Sequence, residues 1–120
     1  MSTKENKLFI RNYFDTFNQG GGAAVANIVA DDHLKEHIAF FESVFPGYQL
    51  SAKKMIAEGD NVVVDATFTG THKGELMGIP PTGKEVEVPF IIIYQVSGGK
   101  IVDHKMVADQ AGMMQQITGS

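Results

Sequence analysis

Cysteine is absent from this chain of 120 residues. Its absence excludes a disulfide framework, a thiolate-ligated zinc site, an iron–sulfur cluster and a cysteine nucleophile. Basic residues are also few: 10 Lys and Arg stand against 14 Asp and Glu, the formal net charge is −4, and the basic residues form no stripe. Nucleic-acid binding is therefore not expected.

Long hydrophobic runs are missing as well. The apolar run around Ile91–Tyr94 is far shorter than the roughly 20 residues that a membrane span needs. Residues 1–7 are polar and do not resemble a signal peptide. We therefore expect a single cytoplasmic domain over residues 1–120 without membrane association. Its 43% of apolar residues are enough to bury a core.

The first third of the sequence has helical periodicity. Apolar residues recur every three or four positions, and Ser2 or Thr3 can cap the first helix. Three consecutive glycines from Gly20 are expected to end that helix, because glycine has little helix propensity. The predicted helices span residues 3–18, 23–30 and 33–45, the last of them capped by Asp31 or Asp32.

From Tyr48 onward the hydrophobic period changes to two, which is typical of strands. Three helices followed by four antiparallel strands predict an α+β fold, in which a curved sheet packs against three N-terminal helices around a cone-shaped space. Such a space is a common place for a small-molecule pocket. The predicted strands span residues 48–57, 62–72, 84–97 and 100–108, with a last helical turn over 109–116.

Several segments carry a resemblance to a known family. They include the FPGYQL run from Phe45, the GIPPTG loop from Gly78, the GKIVDH strand opening from Gly99 and the DQAGMMQQ tail from Asp109. Together these segments resemble the SnoaL-like polyketide (ester) cyclases. The resemblance implies the nuclear-transport-factor-2-like fold, a cone of curved sheet and helices that is often dimeric. It also implies ring closure of a polyketide-like ester by intramolecular aldol chemistry, without a cofactor.

The resemblance also identifies positions at which this chain departs from the family. The cyclases carry an acid/base aspartate two residues after the histidine of the KIxxH strand, and this position is Met106 here. Their polar glutamine and histidine on the neighbouring strand correspond to Phe90 and Ile92. None of these three side chains can transfer a proton. The connection Ala30–His33 is also shorter than in the family, which removes chain from one wall of the expected cavity.

Alternation along the last two strands predicts which side chains line the interior, since alternate residues of a strand share a face. His104 is the one ionisable residue on this face, and it is a candidate general base or ligand anchor. Its alternative role is that of a core histidine with one hydrogen-bond partner. The predicted pocket residues are Tyr13, Phe14, Phe17, Phe68, Phe90, Ile92, Tyr94, His104 and Met106.

Two further sets of polar residues are weaker candidates. Asp109 could act as a replacement acid/base, although the more ordinary role for an aspartate at this position is to cap the last helical turn. His33 and His37 stand four residues apart on a helix, a spacing that can hold a metal. No third ligand is evident, and we expect no metal.

The third strand is apolar on both faces, because Ile91 and Ile93 alternate with the inward-facing residues. A second subunit would cover the outer face most simply, so a homodimer is expected. Three functions remain open: binding of a small apolar or aromatic molecule with His104 and Tyr94 as polar contacts; a cyclase-like lyase or isomerase that uses His104 or Asp109; and a non-catalytic dimeric module with a filled core.

Overall fold

The computed structural model describes residues 2–119. Two helices, four strands and a final helix follow one another along the chain. They are α1 (Thr3–Val25), α2 (Asp32–Val44), β1 (Gln49–Glu58), β2 (Asn61–Thr71), β3 (Glu85–Ser97), β4 (Lys100–Ala108) and α3 (Gln110–Thr118). No helix within residues 2–119 is long and apolar enough to cross a membrane.

The four strands form one antiparallel sheet in the order β1-β2-β3-β4. Each strand boundary lies within one residue of its predicted position. The inner face carries the alternating apolar residues that the sequence predicts, and along β3 every second side chain is buried from Val86 to Val96. The three helices pack on this sheet. The predicted α+β fold class is therefore confirmed.

The helices differ from the prediction in two respects. The segment 23–30 is not a separate helix, because α1 continues to Val25 with a single break at Gly21. Gly21 adopts φ 69° and ψ −160°, a backbone conformation that glycine reaches without strain. The N–H group of the next residue, Gly22, donates a hydrogen bond to the Glu42 carboxylate of α2 at 3.1 Å. The third helix, α3, lies at the C-terminal end, where only one helical turn was predicted.

The chain between α1 and α2 follows the free edge of β4. Val29 forms a parallel bridge with Ile101, Ala30 N–H donates to the Ile101 carbonyl at 2.8 Å, and Ile101 N–H donates to the Ile28 carbonyl at 2.8 Å. The next residue, Asp31, is the N-cap of α2. This short connection therefore holds the start of α2 against the last strand, on the side of the sheet that faces the core.

The loop between β2 and β3 is held against the end of α2. The backbone N–H groups of Lys73 and Gly74 both donate to the Val44 carbonyl, at 2.9 and 3.0 Å. A side chain at Gly74 would collide with the Ser43 carbonyl, so this close approach of two backbones requires glycine. A tight turn follows, in which Leu76 and Ile79 exchange backbone hydrogen bonds, and it carries Leu76 and Met77 to the mouth of the interior space.

Candidate functional site

The helices and the inner face of the sheet enclose a cavity of about 510 Å³ that opens to solvent. This volume lies within the range of roughly 300–1,000 Å³ that small-molecule sites occupy. Its walls are mainly aromatic and aliphatic. The lining residues are Tyr13, Phe17, His37, Ile38, Phe40, Phe41, Tyr48, Leu50, Phe68, Leu76, Met77, Val88, Phe90, Ile92, Tyr94, Met106, Ala108, Gln110, Ala111, Met113 and Met114.

Aromatic rings pack against one another along one wall. The Phe68 ring lies 5.6 Å from Phe41, 5.9 Å from Tyr48 and 6.4 Å from Phe90, measured between ring centroids. The Phe17 ring is 5.0 Å from that of Tyr48. Tilted and edge-to-face pairs at these distances are favourable for aromatic rings. The wall is therefore a fixed aromatic surface suited to contact with a flat apolar molecule.

Three phenol groups are among the polar groups of the cavity wall. The rings of Tyr13 and Tyr94 meet edge to face at 5.6 Å, and the hydroxyls of Tyr13 and Tyr48 lie close enough to influence Tyr94 electrostatically. Burial raises the pKa of all three hydroxyls above the ordinary value of 10.0. All three phenols are therefore neutral near pH 7 and can donate or accept hydrogen bonds.

The predicted pocket residues are largely brought together. Tyr13, Phe17, Phe68, Phe90, Ile92, Tyr94 and Met106 all line the cavity. Phe14 and His104 do not. The Phe14 ring packs behind the wall against Tyr13 and Tyr94, at centroid distances of 5.9 and 6.2 Å. His104 shares the inner face, paired in register with Tyr94, but its ring meets Asp31.

The contact between His104 and Asp31 joins β4 to the start of α2. His104 Nδ1 lies 2.6 Å from Asp31 Oδ2, and the two side chains are only 14% and 6% exposed. The other carboxylate oxygen, Oδ1, accepts from the N–H groups of His33 and Leu34, at 3.0 and 3.2 Å. One carboxylate thus caps the helix and holds the imidazole, so His104 has the hydrogen-bond partner that its alternative core role requires.

The environment of Asp31 favours its ionised form. Burial would raise the pKa of this carboxyl. The hydrogen bond from His104 and its electrostatic interaction, together with the N–H groups of Leu34 and His33, outweigh burial and lower the pKa below its ordinary value of 3.8. Asp31 is therefore an anion at neutral pH that is screened from solvent by its partners.

His37 lies near the Asp31–His104 pair and lines the cavity. It stands on α2, its ring lies 6.5 Å from that of His104 and 4.6 Å from that of Phe41, and it is one of the lining residues. Burial, and then the charge of His104, lowers the pKa of His37 below 6.5. His33, its predicted metal-binding companion, is exposed. Residues 2–119 contain no group of three or more His, Asp or Glu arranged to hold a metal ion.

Asp109 occupies the position expected of a cap. It is the N-cap of α3, and its carboxylate accepts from the Gly112 N–H at 2.9 Å. A side chain at Gly112 would meet this carboxylate and require it to move. Asp109 does not line the cavity, and none of the lining residues is an Asp or a Glu. The candidate acid/base groups around the interior are thus histidines.

Sequence reasoning missed the partnership of Asp31, His37 and His104. Asp31 was assigned only to a helix cap, and His37 only to a weak metal motif. The one signal in the sequence was the isolated His104 on an apolar face, which required a partner. The identity of that partner was hidden because Asp31 lies 73 positions away along the chain.

Comparison with known proteins identifies the family to which the chain belongs. The family model for SnoaL-like polyketide cyclase matches residues 26–117. No curated protein sequence matches the chain at a significant level.

Solved structures share the fold at low sequence identity. AclR from Streptomyces galilaeus, a protein assigned as a hydroxylase, superposes with a TM-score of 0.85 at 23% identity, over 99% of this chain and 84% of its own. TsrD from Streptomyces laurentii gives 0.83 at 19% identity, over 100% and 99%. A protein from Jannaschia sp. CCS1, assigned as a SnoaL-like polyketide cyclase, gives 0.82 at 21% identity, over 98% and 94%. At these identities the likeness shows the fold alone.

Proposed function

Because the chain belongs to the SnoaL-like polyketide cyclase family, with a family model that covers residues 26–117, we propose that its cavity binds a small apolar or aromatic molecule. The observation that carries this proposal is the lining itself. Aromatic and aliphatic side chains surround a space of about 510 Å³, with three neutral phenols and one histidine as the ionisable groups. Sites of this kind obtain affinity from apolar contact and orientation from a few polar groups.

The residue at the position of the cyclase aspartate supports a proposal of ligand binding without the family's acid/base residue. Met106, which the family resemblance aligns with that aspartate, lines the cavity, and Phe90 and Ile92 line it on the neighbouring strand. A thioether, a phenyl ring and a butyl group add contact area but take no proton. The proposal is therefore that this interior has kept the shape of the family and has lost its usual proton-transfer group.

An uncharged fluorescent probe tests the binding proposal. We expect N-phenylnaphthylamine to bind the native protein saturably, with a Kd in the micromolar range of about 1–50 μM. Ala108→Phe places a ring in the cavity, because Ala108 is a lining residue, and should weaken binding about tenfold or more.

The matched control is Val107→Phe, one residue earlier on β4. Val107 is 68% exposed and does not line the cavity, so its substitution should leave the Kd unchanged. Thermal unfolding shows that each variant is folded, and Ala111→Leu on α3 supplies a second way to narrow the cavity. Absence of probe binding by the native protein, or equal Kd values for the Ala108 and Val107 variants, would contradict the proposal.

A second part of the proposal is that two copies of the chain associate through the outer face of the sheet. Ile56, Ile91, Ile93 and Val107 are all exposed there, between 36% and 68%. Lys54 on β1 is paired in register with Asp65 on β2. Apolar contact flanked by charges of both signs is suited to a two-fold interface, because each copy can offer its lysine to the aspartate of the other.

Sedimentation measures this association directly. We expect a dimer for the native protein and a folded monomer for Ile93→Lys, because a buried unpaired charge opposes association by several kcal/mol, about 2–5. Lys100→Glu, a charge change at the first residue of β4, is the control and should remain dimeric. A monomeric native protein at about 100 μM would refute the interface.

A further inference from the structure

Asp31, His104 and His37 form a continuous polar cluster at one corner of an otherwise apolar interior. Asp31 holds His104 through the 2.6 Å contact between Oδ2 and Nδ1, and the His104 ring lies 6.5 Å from the ring of His37. The three residues come from the connection before α2, from β4 and from α2. The cluster therefore runs from a buried anion at the sheet edge to the wall of the cavity.

His37 is the member of the cluster that a ligand can reach. It lines the cavity, whereas Asp31 and His104 do not. Its ring packs on Phe41, another lining residue, with centroids 4.6 Å apart. This packing limits the rotamers of the imidazole, and one turn of α2 therefore supplies both a basic ring and part of the apolar wall.

The other ionisable groups of the cavity wall do not take a proton near neutral pH. They are Tyr13, Tyr48 and Tyr94, and burial keeps all three protonated. Burial and the charge of His104 keep His37 neutral, with its pKa below 6.5. A neutral imidazole that is partly buried against an apolar wall keeps a lone pair on one ring nitrogen, which is the state that a general base requires.

We propose that His37 is an acid/base residue of this cavity and that Asp31 and His104 are positioning residues that act through it. The ligand class is an aromatic or apolar molecule with an acidic C–H group beside an electron-withdrawing group. His37 takes the proton from carbon, the electron pair of the C–H bond moves into the ligand's electron-withdrawing group, and the imidazolium returns its proton to the ligand or to water. This inference rests on the binding function proposed above.

The role of the two positioning residues follows from their contacts. The Asp31 carboxylate accepts the proton on His104 Nδ1, which fixes the orientation of that ring. The same carboxylate caps α2 through the N–H groups of His33 and Leu34, which fixes the turn that precedes His37. The ionisable group that acts on His37 is thus His104, with Asp31 bonded behind it, while the phenols of Tyr13, Tyr48 and Tyr94 share its cavity.

Nitrobenzisoxazole tests the base without knowledge of the natural ligand. A base removes its one acidic ring C–H proton, the electron pair forms the nitrile, the N–O bond breaks, and a coloured cyanonitrophenolate leaves. The proton passes from His37 to water, so the reaction needs no other reactant. We expect the native protein to exceed the rate of free imidazole at equal concentration, and the rate to rise with pH through a midpoint below the ordinary histidine value of 6.5.

Three variants separate the roles. His37→Gln should lower the rate about 10²-fold, whereas His33→Gln, four residues earlier on α2 and exposed, should leave it unchanged. Burial lowers the pKa of His37 most and the interaction with His104 lowers it further. His104→Gln removes the second cause, so the midpoint of the pH profile should move to higher pH. Asp31→Asn keeps a residue type that caps helices, so the helix start is retained while the rate falls.

Binding and turnover are measured on the same samples to distinguish the two proposals. If the native protein does not bind N-phenylnaphthylamine, the binding function fails and this inference fails with it. If the probe binds but the rate equals that of free imidazole, or is unchanged in His37→Gln, only the assignment of His37 is overturned. If His104→Gln lowers the rate without moving the pH midpoint, its role is structural and the positioning assignment is overturned.

Discussion

Ile92 and Ile93 are adjacent residues of the same type on β3, yet they belong to different environments. Ile92 is 2% exposed and lines the cavity, while Ile93 is 36% exposed on the outer face of the sheet. Their backbone conformation and strand propensity are equivalent, so the difference comes from what covers each face. Helices close the inner face and leave a space within it, and no element within residues 2–119 covers the outer one. One strand thus provides both the proposed ligand wall and the proposed subunit interface.

The largest expected effect comes from truncating each isoleucine. Ile92→Ala removes buried contacts and should lower the free energy of unfolding by about 2–4 kcal/mol. Ile93→Ala should lower it by about 1 kcal/mol or less in dilute protein, because strand propensity changes equally and little burial is lost. Urea unfolding measured on both variants gives the difference, and equal losses would show that the two faces do not differ as described.

The second prediction concerns the polar corner of the inner face. Asp31→Ala removes the α2 cap and the charged partner of His104, so we expect a loss of about 2–3 kcal/mol in the free energy of unfolding. Asp32→Ala, the neighbouring exposed residue in the first turn, should cost about 0.5 kcal/mol. If urea unfolding gives the same result for both, Asp31 acts only through the general charge of the helix start.

The third and smallest prediction is the pH dependence of stability. Because the pKa of His37 is lowered on folding, the unfolded chain takes up its proton first as the pH falls, and the native protein loses stability as the pH falls through the ordinary histidine value of 6.5. His37→Gln should lose less stability over the same fall in pH. The carboxyl of Asp31 also has a lowered pKa, so its stabilisation is present above about pH 4 and disappears in more acidic solution. Chemical unfolding at several pH values distinguishes the two ranges, and identical profiles for the native protein and His37→Gln would contradict the first.

Local patterns predicted the sheet with little error. Alternation along β3 and β4 identified the inner face, and turn residues such as Gly98 and Gly99 fixed the hairpin that joins them. These features depend on neighbouring residues, so a sequence contains them directly. The end of α1 was less predictable, because the break at Gly21 is stabilised by Glu42 from another helix. The family resemblance was confirmed, since it rested on several motifs in order along the chain.

The candidate site was predicted only in part, because contacts between distant elements are not contained in local patterns. Seven of the nine predicted pocket residues line the cavity, because periodicity determines which face of a strand or helix a side chain occupies. Periodicity does not determine which neighbouring side chains a ring on that face contacts. Phe14 lies behind the wall and His104 turns to Asp31, since packing against other elements sets those positions. His37 was considered only as a metal ligand and set aside, because its neighbours were taken from its own helix.

The sequence by itself determined the alternation of the strands, the aspartate caps at which α2 and α3 begin, and, through its motifs, the membership of a family. The first two follow from the conformational preferences of residues that are close in the chain. Only the tertiary structure decided that a carboxylate at the start of α2 would meet an imidazole on β4, and that a second imidazole would stand between that pair and the cavity. Such contacts form because folding removes the alternative partner, water, from groups that the chain alone does not bring together.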